Sequence, residues 1–256
     1  MSCQRDLVRE ANRNPMSSNV YWLECTGADV PCGDAWLTQA EQHRLNSLRI
    51  PKRRRDWRLG RWTAKSAVCA LERLERRYPE FAEIDILVLP SGAPRASIRG
   101  ATLNISLSHR NDVAICAVSR SESPLGCDIE VIEPRSQAFV GDYFCAEEQA
   151  CLAGATDEAQ RDRMAAMFWS AKESALKNFQ VGLKMDVRSL TVLTDSIADF
   201  SLPCCPAVRW HGMTIEVPHC KTLRGWWSLT ANFVRTIVSE ASEPLHLDAR
   251  TLHLFS

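Results

Sequence analysis

The sequence has no surplus of either charge: its 256 residues hold 31 Lys and Arg against 31 Asp and Glu. A polyanionic partner such as bulk nucleic acid is therefore not demanded, and only local basic patches are left to consider. No apolar run approaches the roughly 18 residues of a membrane span, and the segment Met1 to Pro15 is polar and charged. The eleven cysteines include no C-x-x-C spacing, and several sit in apolar runs such as Val113-Ala114-Ile115-Cys116-Ala117-Val118. They read as small core residues of a cytoplasmic protein, neither a disulfide frame nor a zinc site. At 45% apolar content the chain can bury a sizeable core, as one large domain or two smaller ones.

What is present is a pair of acidic clusters. Gly126-Cys127-Asp128-Ile129-Glu130 has the alternation of a strand, so Asp128 and Glu130 share a face while Cys127 and Ile129 point into the core. Trp169-Ser170-Ala171-Lys172-Glu173-Ser174-Ala175-Leu176-Lys177 has helical spacing. Glu173 and Lys177 share a face with Trp169, and Met164, Met167, Phe168, Ala171 and Ala175 fall on the opposite side. Three carboxylates and an ammonium can thus converge, and oxygen-only ligands suit Mg²⁺, which shares its shell with water and substrate phosphates.

Elsewhere a helix is expected from Pro51 to about Tyr78, with Ala64, Ala67, Val68, Leu71 and Leu74 on an apolar arc and Arg55, Arg58, Arg61 and Lys65 beside it. Strands are expected at Ile84–Leu89, at Leu103–Leu107 ending in Ser108-His109, and at Val113–Val118, where the unbroken apolar run predicts burial on both faces. Further strands are expected at Leu190–Thr194, Met213–Val217 and Trp226–Phe233, with Pro203–Pro206 as a break. Trp62-Thr63-Ala64-Lys65 recurs as Trp169-Ser170-Ala171-Lys172, which suggests two similar α/β halves, 1–122 and 123–256. In that alignment Ser66 stands opposite Glu173, so only one half can complete a metal shell. One metal site per chain is therefore expected.

Taken singly, these signals have ordinary readings: Asp128 and Glu130 as a solvated strand face, Glu173 and Lys177 as a surface ion pair, His109 as a loop histidine, and Lys52 to Arg55 as a solvated helix start. Their order, however, resembles that of the surfactin-type 4′-phosphopantetheinyl transferases over about Leu37 to Phe233. The acidic strand is similar to that family's G-x-D-x-E, and the helix to its W-x-x-K-E-[AS]-x-x-K. Ile105-Ser106-Leu107-Ser108-His109, Phe144 with Glu148, and Gly60-Arg61 with Lys65 preceded by Glu41 and Arg44 also match.

The resemblance implies an α/β (α+β) monomer of two similar subdomains related by a pseudo-two-fold, each a helix on a small, largely antiparallel sheet. It implies transfer of the 4′-phosphopantetheine arm of coenzyme A to a serine of an apo acyl or peptidyl carrier protein, releasing adenosine 3′,5′-bisphosphate. Asp128, Glu130 and Glu173 would then hold Mg²⁺. Lys177 would contact the same phosphates; Ser108 and His109 would bind the pyrophosphate or the 3′-phosphate; Arg44 and Arg61 would contribute to coenzyme binding. Glu148, or a water, would take the serine proton. The chain departs from the family at Ala93, where a basic residue is common, so either Arg95 substitutes or that contact is missing. Arg110 stands where a small residue is usual, and Gln180 replaces a glycine before Gly182-Leu183. Two rival readings are an Mg²⁺-dependent phosphohydrolase and a non-catalytic module whose basic helix docks RNA or an acidic protein. The chain lacks the interleaved aromatic and glycine pattern of RNA-binding sheets.

Overall fold

The computed structural model describes residues 19–74, 78–180, 185–194, 200, 208–218 and 221–247. Met1–Pro15, Pro203–Pro206 and Gly182-Leu183 lie outside the described residues.

After strand β1 (Tyr21–Thr26), helix α1 (Gln39–Ser47) opens on a capping box in which Thr38 Oγ1 accepts from the Glu41 amide and the Glu41 carboxylate accepts from the Thr38 amide. Helix α2 (Pro51–Glu72) starts on proline, whose missing N–H costs nothing in the first turn. It ends earlier than the apolar arc predicts, because Arg73 turns into the left-handed region at φ 53° and the Leu74 amide folds back onto the Cys69 carbonyl. A short helix α3 (Tyr78–Ala82) leads to β2 (Asp85–Val88), β3 (Pro94–Ile98), β4 (Ala101–Arg110) and β5 (Val113–Ser119).

The second stretch repeats this plan. It runs through β6 (Gly126–Val131), α4 (Gln137–Tyr143), α5 (Ala146–Ala153), the long α6 (Glu158–Phe179), β7 (Thr191–Leu193), β8 (His211–Glu216), β9 (Leu223–Leu229), β10 (Phe233–Val238) and the two-residue β11 (Leu245–His246). Trp226–Phe233 is therefore not one strand. The turn after Leu229 closes when the Thr230 amide donates to the Phe233 carbonyl and Thr230 Oγ1 accepts from the Phe233 amide. Without glycine or proline there, the hairpin reads as continuous β-sequence.

One sheet has the order β11-β1-β5-β4-β3-β2 and the other β6-β10-β9-β8-β7. With β11 set aside, the two orders are the same path, and α2 and α6 each lie between the first and second strands of their own series. All pairings are antiparallel except β11 with β1, a strand late in the chain that adds to the first sheet. The expected pair of α/β units, each with a long helix on an antiparallel sheet, is thus present.

Among the described residues three apolar clusters hold the molecule together. One lies between α2 and the first sheet, and a second between α6 and the other sheet, where Met164, Met167, Phe168, Ala171 and Ala175 are buried as their spacing predicts. Burying a Met- or Phe-sized side chain contributes about 1.5–3 kcal/mol. The third cluster joins Trp22, Ile115 and Ala117 of the first sheet to Cys127, Ile129 and Ile237 of the second. It fixes the two sheets against each other, and β5 is buried on both faces as expected.

Candidate functional site

The site is built where β6 meets α6. A Cβ on Gly126 would stand 1.9 Å from the Ser174 carbonyl oxygen and 2.8 Å from the Asn178 amide, so only glycine lets the helix backbone come this close to the strand. One strand over, Thr236 pairs with Asp128 in register and bonds with Ser170 (2.9 Å) and Ser174 (2.6 Å) of α6. That face of the sheet therefore looks at the helix. The period of two puts Asp128 and Glu130 on it and sends Cys127 and Ile129 into the cluster between the sheets, as the alternation predicts.

Asp128 is only 4% exposed. Its Oδ1 accepts from Lys177 Nζ at 2.8 Å and from Ser108 Oγ at 2.7 Å, while Oδ2 is buried without a hydrogen-bond partner. Lys177 also donates to the Cys127 carbonyl at 3.0 Å. Burial, the largest single influence, lowers the Lys177 pKa, but the charge and hydrogen bond of Asp128 together with its other anionic neighbours outweigh it and the pKa is raised. The two sheets are tied here a second time, by the Cys127 amide donating to Ser106 Oγ at 2.9 Å. Strand β4 of the first half thus supplies Ser106 and Ser108 to the acidic strand of the second.

Glu130 sits in a different setting. Its Oε1 accepts from Trp169 Nε1 (3.1 Å), and its Oε2 from Arg135 (3.1 Å), with Arg110 Nε at 3.6 Å. Arg135 lies over the Phe139 ring, which in turn contacts Trp169 edge-on. Burial, then the charge of Asp128, pushes the Glu130 carboxyl up against the pull of Arg110 and Arg135. Glu173 is raised too, by burial first, with Lys177 opposing and Asp128 and Glu130 adding to it. Among the described residues no three Asp, Glu, His or Cys side chains are grouped closely enough to hold a metal.

Beside these groups lies a cavity of about 300 Å³ lined by the Ser91–Pro94 turn, Ser106 and Leu107 of β4, Glu173 and Lys177 of α6, and Gln180, which caps that helix. It is a cleft between the halves. Gly92 takes φ +87°, which shapes the turn at its rim, and Ser91 Oγ donates to Gln180 across it at 3.2 Å. Ala93 is in the lining itself, and Arg95 stands next to it, donating to Asn104 at 3.1 Å with its Nε buried and without a partner.

Other expected residues are elsewhere. Ser108 meets Asp128, but His109, next in the strand, is exposed, and its nearest charges include Asp56 and Lys52 of α2 as well as Lys177 and Asp128. Its pKa is lowered, by desolvation first. Arg44 is exposed and donates to Ser47; Arg61 faces Glu41 at 3.6 Å and stacks on Trp57. Glu148, expected as proton acceptor, is 1% exposed. Its Oε2 is 2.7 Å from Lys172 Nζ and accepts from the Cys145 amide, while Oε1 accepts from the Val192 amide. With both oxygens engaged in the core, it is a structural group and no route for a substrate proton.

The Glu148 ion pair has a counterpart in the first half. In the first half Glu41 pairs with Lys65 at 2.5 Å, and Lys65 donates to the Trp36 and Phe81 carbonyls. In the second half Lys172 pairs with Glu148 and donates to the Tyr143 and Val187 carbonyls. Glu41 to Lys65 and Glu148 to Lys172 are equally spaced along the chain, so the repeat extends to a buried ion pair that docks each long helix. Arg135 is the site residue the motifs did not indicate.

Residues 124–216 match the model of the 4′-phosphopantetheinyl transferase superfamily, a stretch that contains β6, α6 and every acidic residue of the site. No curated protein matches the chain.

Proposed function

We propose that this chain transfers the 4′-phosphopantetheine arm of coenzyme A to a serine hydroxyl of an apo acyl or peptidyl carrier protein and releases adenosine 3′,5′-bisphosphate. The observation behind this reading is the ion pair of Lys177 with the buried Asp128, with Glu173 one helical turn away, on the wall of a cleft between the halves. The matching family stretch spans all three residues.

The donor types suit a hard divalent cation such as Mg²⁺, although as arranged here no three of them among the described residues are close enough together to hold one. The donors are oxygens, Asp128 Oδ2 is buried without a partner, and burial with the charge of Asp128 raises Glu130 and Glu173. Asp128 and Glu173, with Glu130, are the side chains that would hold it. When bound, the ion would offset the charge of the coenzyme's pyrophosphate and act as a template for it. Lys177 and the Ser108 hydroxyl bind phosphate oxygens at the same place, and an ammonium fixed there by Asp128 lowers the cost of charge gathering on the leaving phosphate. His109 and Arg95 hold the nucleotide end, with Arg44 and Arg61 as further cations of the first half. The walls of the cleft orient the pyrophosphate toward an incoming serine. Glu173, which lines the cleft one turn from Lys177 and whose carboxyl is raised by burial, is the group placed to accept the serine proton.

On this reading the halves 1–122 and 123–256 share one site, and the enzyme works as a cytoplasmic monomer with one coenzyme bound. Incubating a panel of apo carriers with coenzyme A and Mg²⁺ tests the proposal. A mass gain on a carrier equal to the phosphopantetheine arm supports it; cleavage of coenzyme A at the same rate with no carrier present would make the protein a hydrolase.

A further inference from the structure

At the rim of the cleft one residue of each half meets the other. Ser91 lies in the turn between β2 and β3, and Gln180 caps the C-terminal end of α6. Ser91 Oγ accepts from the Ala93 amide at 3.4 Å and donates to Gln180 Oε1 at 3.2 Å. A hydroxyl that accepts on one side gives its single proton to the other, so the Gln180 amide is held with its oxygen toward Ser91. Its Nε2 has no protein partner among the described residues.

Gln180 is also strained. Its φ is 57°, in the left-handed region that glycine enters freely and a longer side chain resists. Arg73 ends α2 in the same way, at φ 53°, but its side chain is exposed and takes no part in the cleft. The two caps are equivalent in the repeat, so the backbone by itself does not call for an amide at 180. Nor does the Ser91 bond hold the halves together. An exposed hydrogen bond adds little beside the apolar cluster between the sheets and the bonds of Ser106 and Ser108 to β6. What it does is aim the amide.

The rim formed by Ser91, Gly92, Ala93, Pro94 and Gln180 carries no charge, whereas Lys177, one turn earlier along α6, carries the charge that suits a phosphate. A neutral N–H donor placed one turn beyond a phosphate-binding ammonium fits an uncharged acceptor attached to that phosphate. We propose that Gln180 is a coenzyme-binding residue: Ser91 holds its side-chain amide at the cleft, and Nε2 donates to an uncharged acceptor of coenzyme A, either a ring nitrogen of the adenine or a carbonyl of the pantetheine arm. This rests on the coenzyme A reading above.

The test is calorimetric titration of the full-length protein with coenzyme A in Mg²⁺ buffer, beside thermal melts without ligand. Gln180→Gly should bind coenzyme A at least fivefold more weakly while melting at a higher temperature, because the strain is relieved. Ser91→Ala should weaken binding too, and should add nothing in the Gln180→Gly background. Arg73→Gly, the matching change in the other half, should raise the melting temperature and leave affinity as it was. Titrations with adenosine 3′,5′-bisphosphate and with 4′-phosphopantetheine locate the acceptor: weakening by Gln180→Gly toward the first assigns the adenine, toward the second the arm. Unchanged affinity for coenzyme A in Gln180→Gly would overturn the inference, as would weaker binding together with a lower melting temperature, which would signify a loosened helix end. Either result in a protein whose wild type binds coenzyme A removes only the role of Gln180, whereas a wild type that binds neither coenzyme A nor its fragments removes the parent reading and this one with it.

Discussion

Lys177 Nζ lies 2.8 Å from Asp128 Oδ1, and this ion pair joins the last turn of α6 to the middle of β6. It connects elements far apart in sequence and leaves the second oxygen of Asp128 buried without a partner.

Asp128→Asn keeps the volume of the side chain and its bond to Ser108 but removes the charge that Lys177 and a cation both need. Transfer should fall by roughly 10² or more, the loss typical of removing one electrostatic contact to a transition state. Stability should drop by about 1.5–3 kcal/mol, the range for charge-assisted hydrogen bonds, with unfolding still cooperative in urea. Wild-type turnover in this variant would dismiss Asp128 from the site.

Glu173 offers the opposite sign. Its folded pKa is raised above the ordinary 4.5, mainly by burial, so the folded protein holds the proton more tightly than the unfolded chain does. Keeping it ionised costs stability at neutral pH, and that cost disappears once the pH falls below the unfolded value. Glu173→Gln should therefore be more stable than the wild type at pH 7 in metal-free buffer and no more stable at pH 4. Its transfer activity should be lost. Thermal melts across that pH range decide the matter; a variant less stable at pH 7 would contradict the assigned cause.

Glu148→Gln should cost about 3 kcal/mol or more, since it leaves the Lys172 ammonium buried without its charge partner. Glu41→Gln should behave alike toward Lys65. Activity per folded molecule is the telling quantity: it should stay near wild type for Glu148→Gln, and a hundredfold loss in protein shown to be folded would return Glu148 to the chemistry. Replacing both partners, as Glu148→Leu with Lys172→Met, should recover little of the lost stability, because the Cys145 and Val192 amides and the Tyr143 and Val187 carbonyls then lose their partners.

Gly126→Ala places a methyl group against the Ser174 carbonyl and the Asn178 amide, both helix backbone that cannot swing aside. Overpacking of this kind costs about 1–3 kcal/mol. The helix can relieve it only by moving off β6, which lengthens the Lys177 contacts to Cys127 and Asp128. Activity should drop together with the melting temperature, whereas Gly60→Ala, with no atom within 4 Å of the added carbon, should leave activity unchanged.

The parts of this structure legible in the sequence are those governed by a single period. Alternation placed Asp128 and Glu130 on one face, and helical spacing placed Glu173 above Lys177 with Met167 and Phe168 turned inward. What was not legible depends on residues far apart in sequence. Arg110 and Arg135 meet over Glu130 only because β4 crosses β6, and no local pattern announces that crossing. The hairpin after Leu229 was hidden because Thr230 closes it with a side chain where glycine would have signalled a turn. Strand β1 went unread although Tyr21–Thr26 is rich in strand formers, because its six residues alternate too weakly to stand out. Glu148, an acidic residue in a motif, reads as chemistry in the sequence, whereas in the structure it makes the same buried ion pair as its counterpart Glu41, which lies in a half with no acidic centre.

The pairing of β11 with β1 has a consequence for the order in which the molecule can be assembled. Strands β1 to β5 and helix α2 are complete once the chain reaches Ser119, so during synthesis the first half can fold while the second is still being made. Its outer strand then remains open, with Val20 and Trp22 presenting the carbonyls that Leu245 and Leu247 will later bond. An unpaired edge of this kind is a template for the wrong partner. The nascent protein is therefore most exposed to mispairing through the whole interval in which the acidic strand and its helix are being translated, and it is the arrival of a two-residue strand that ends that exposure.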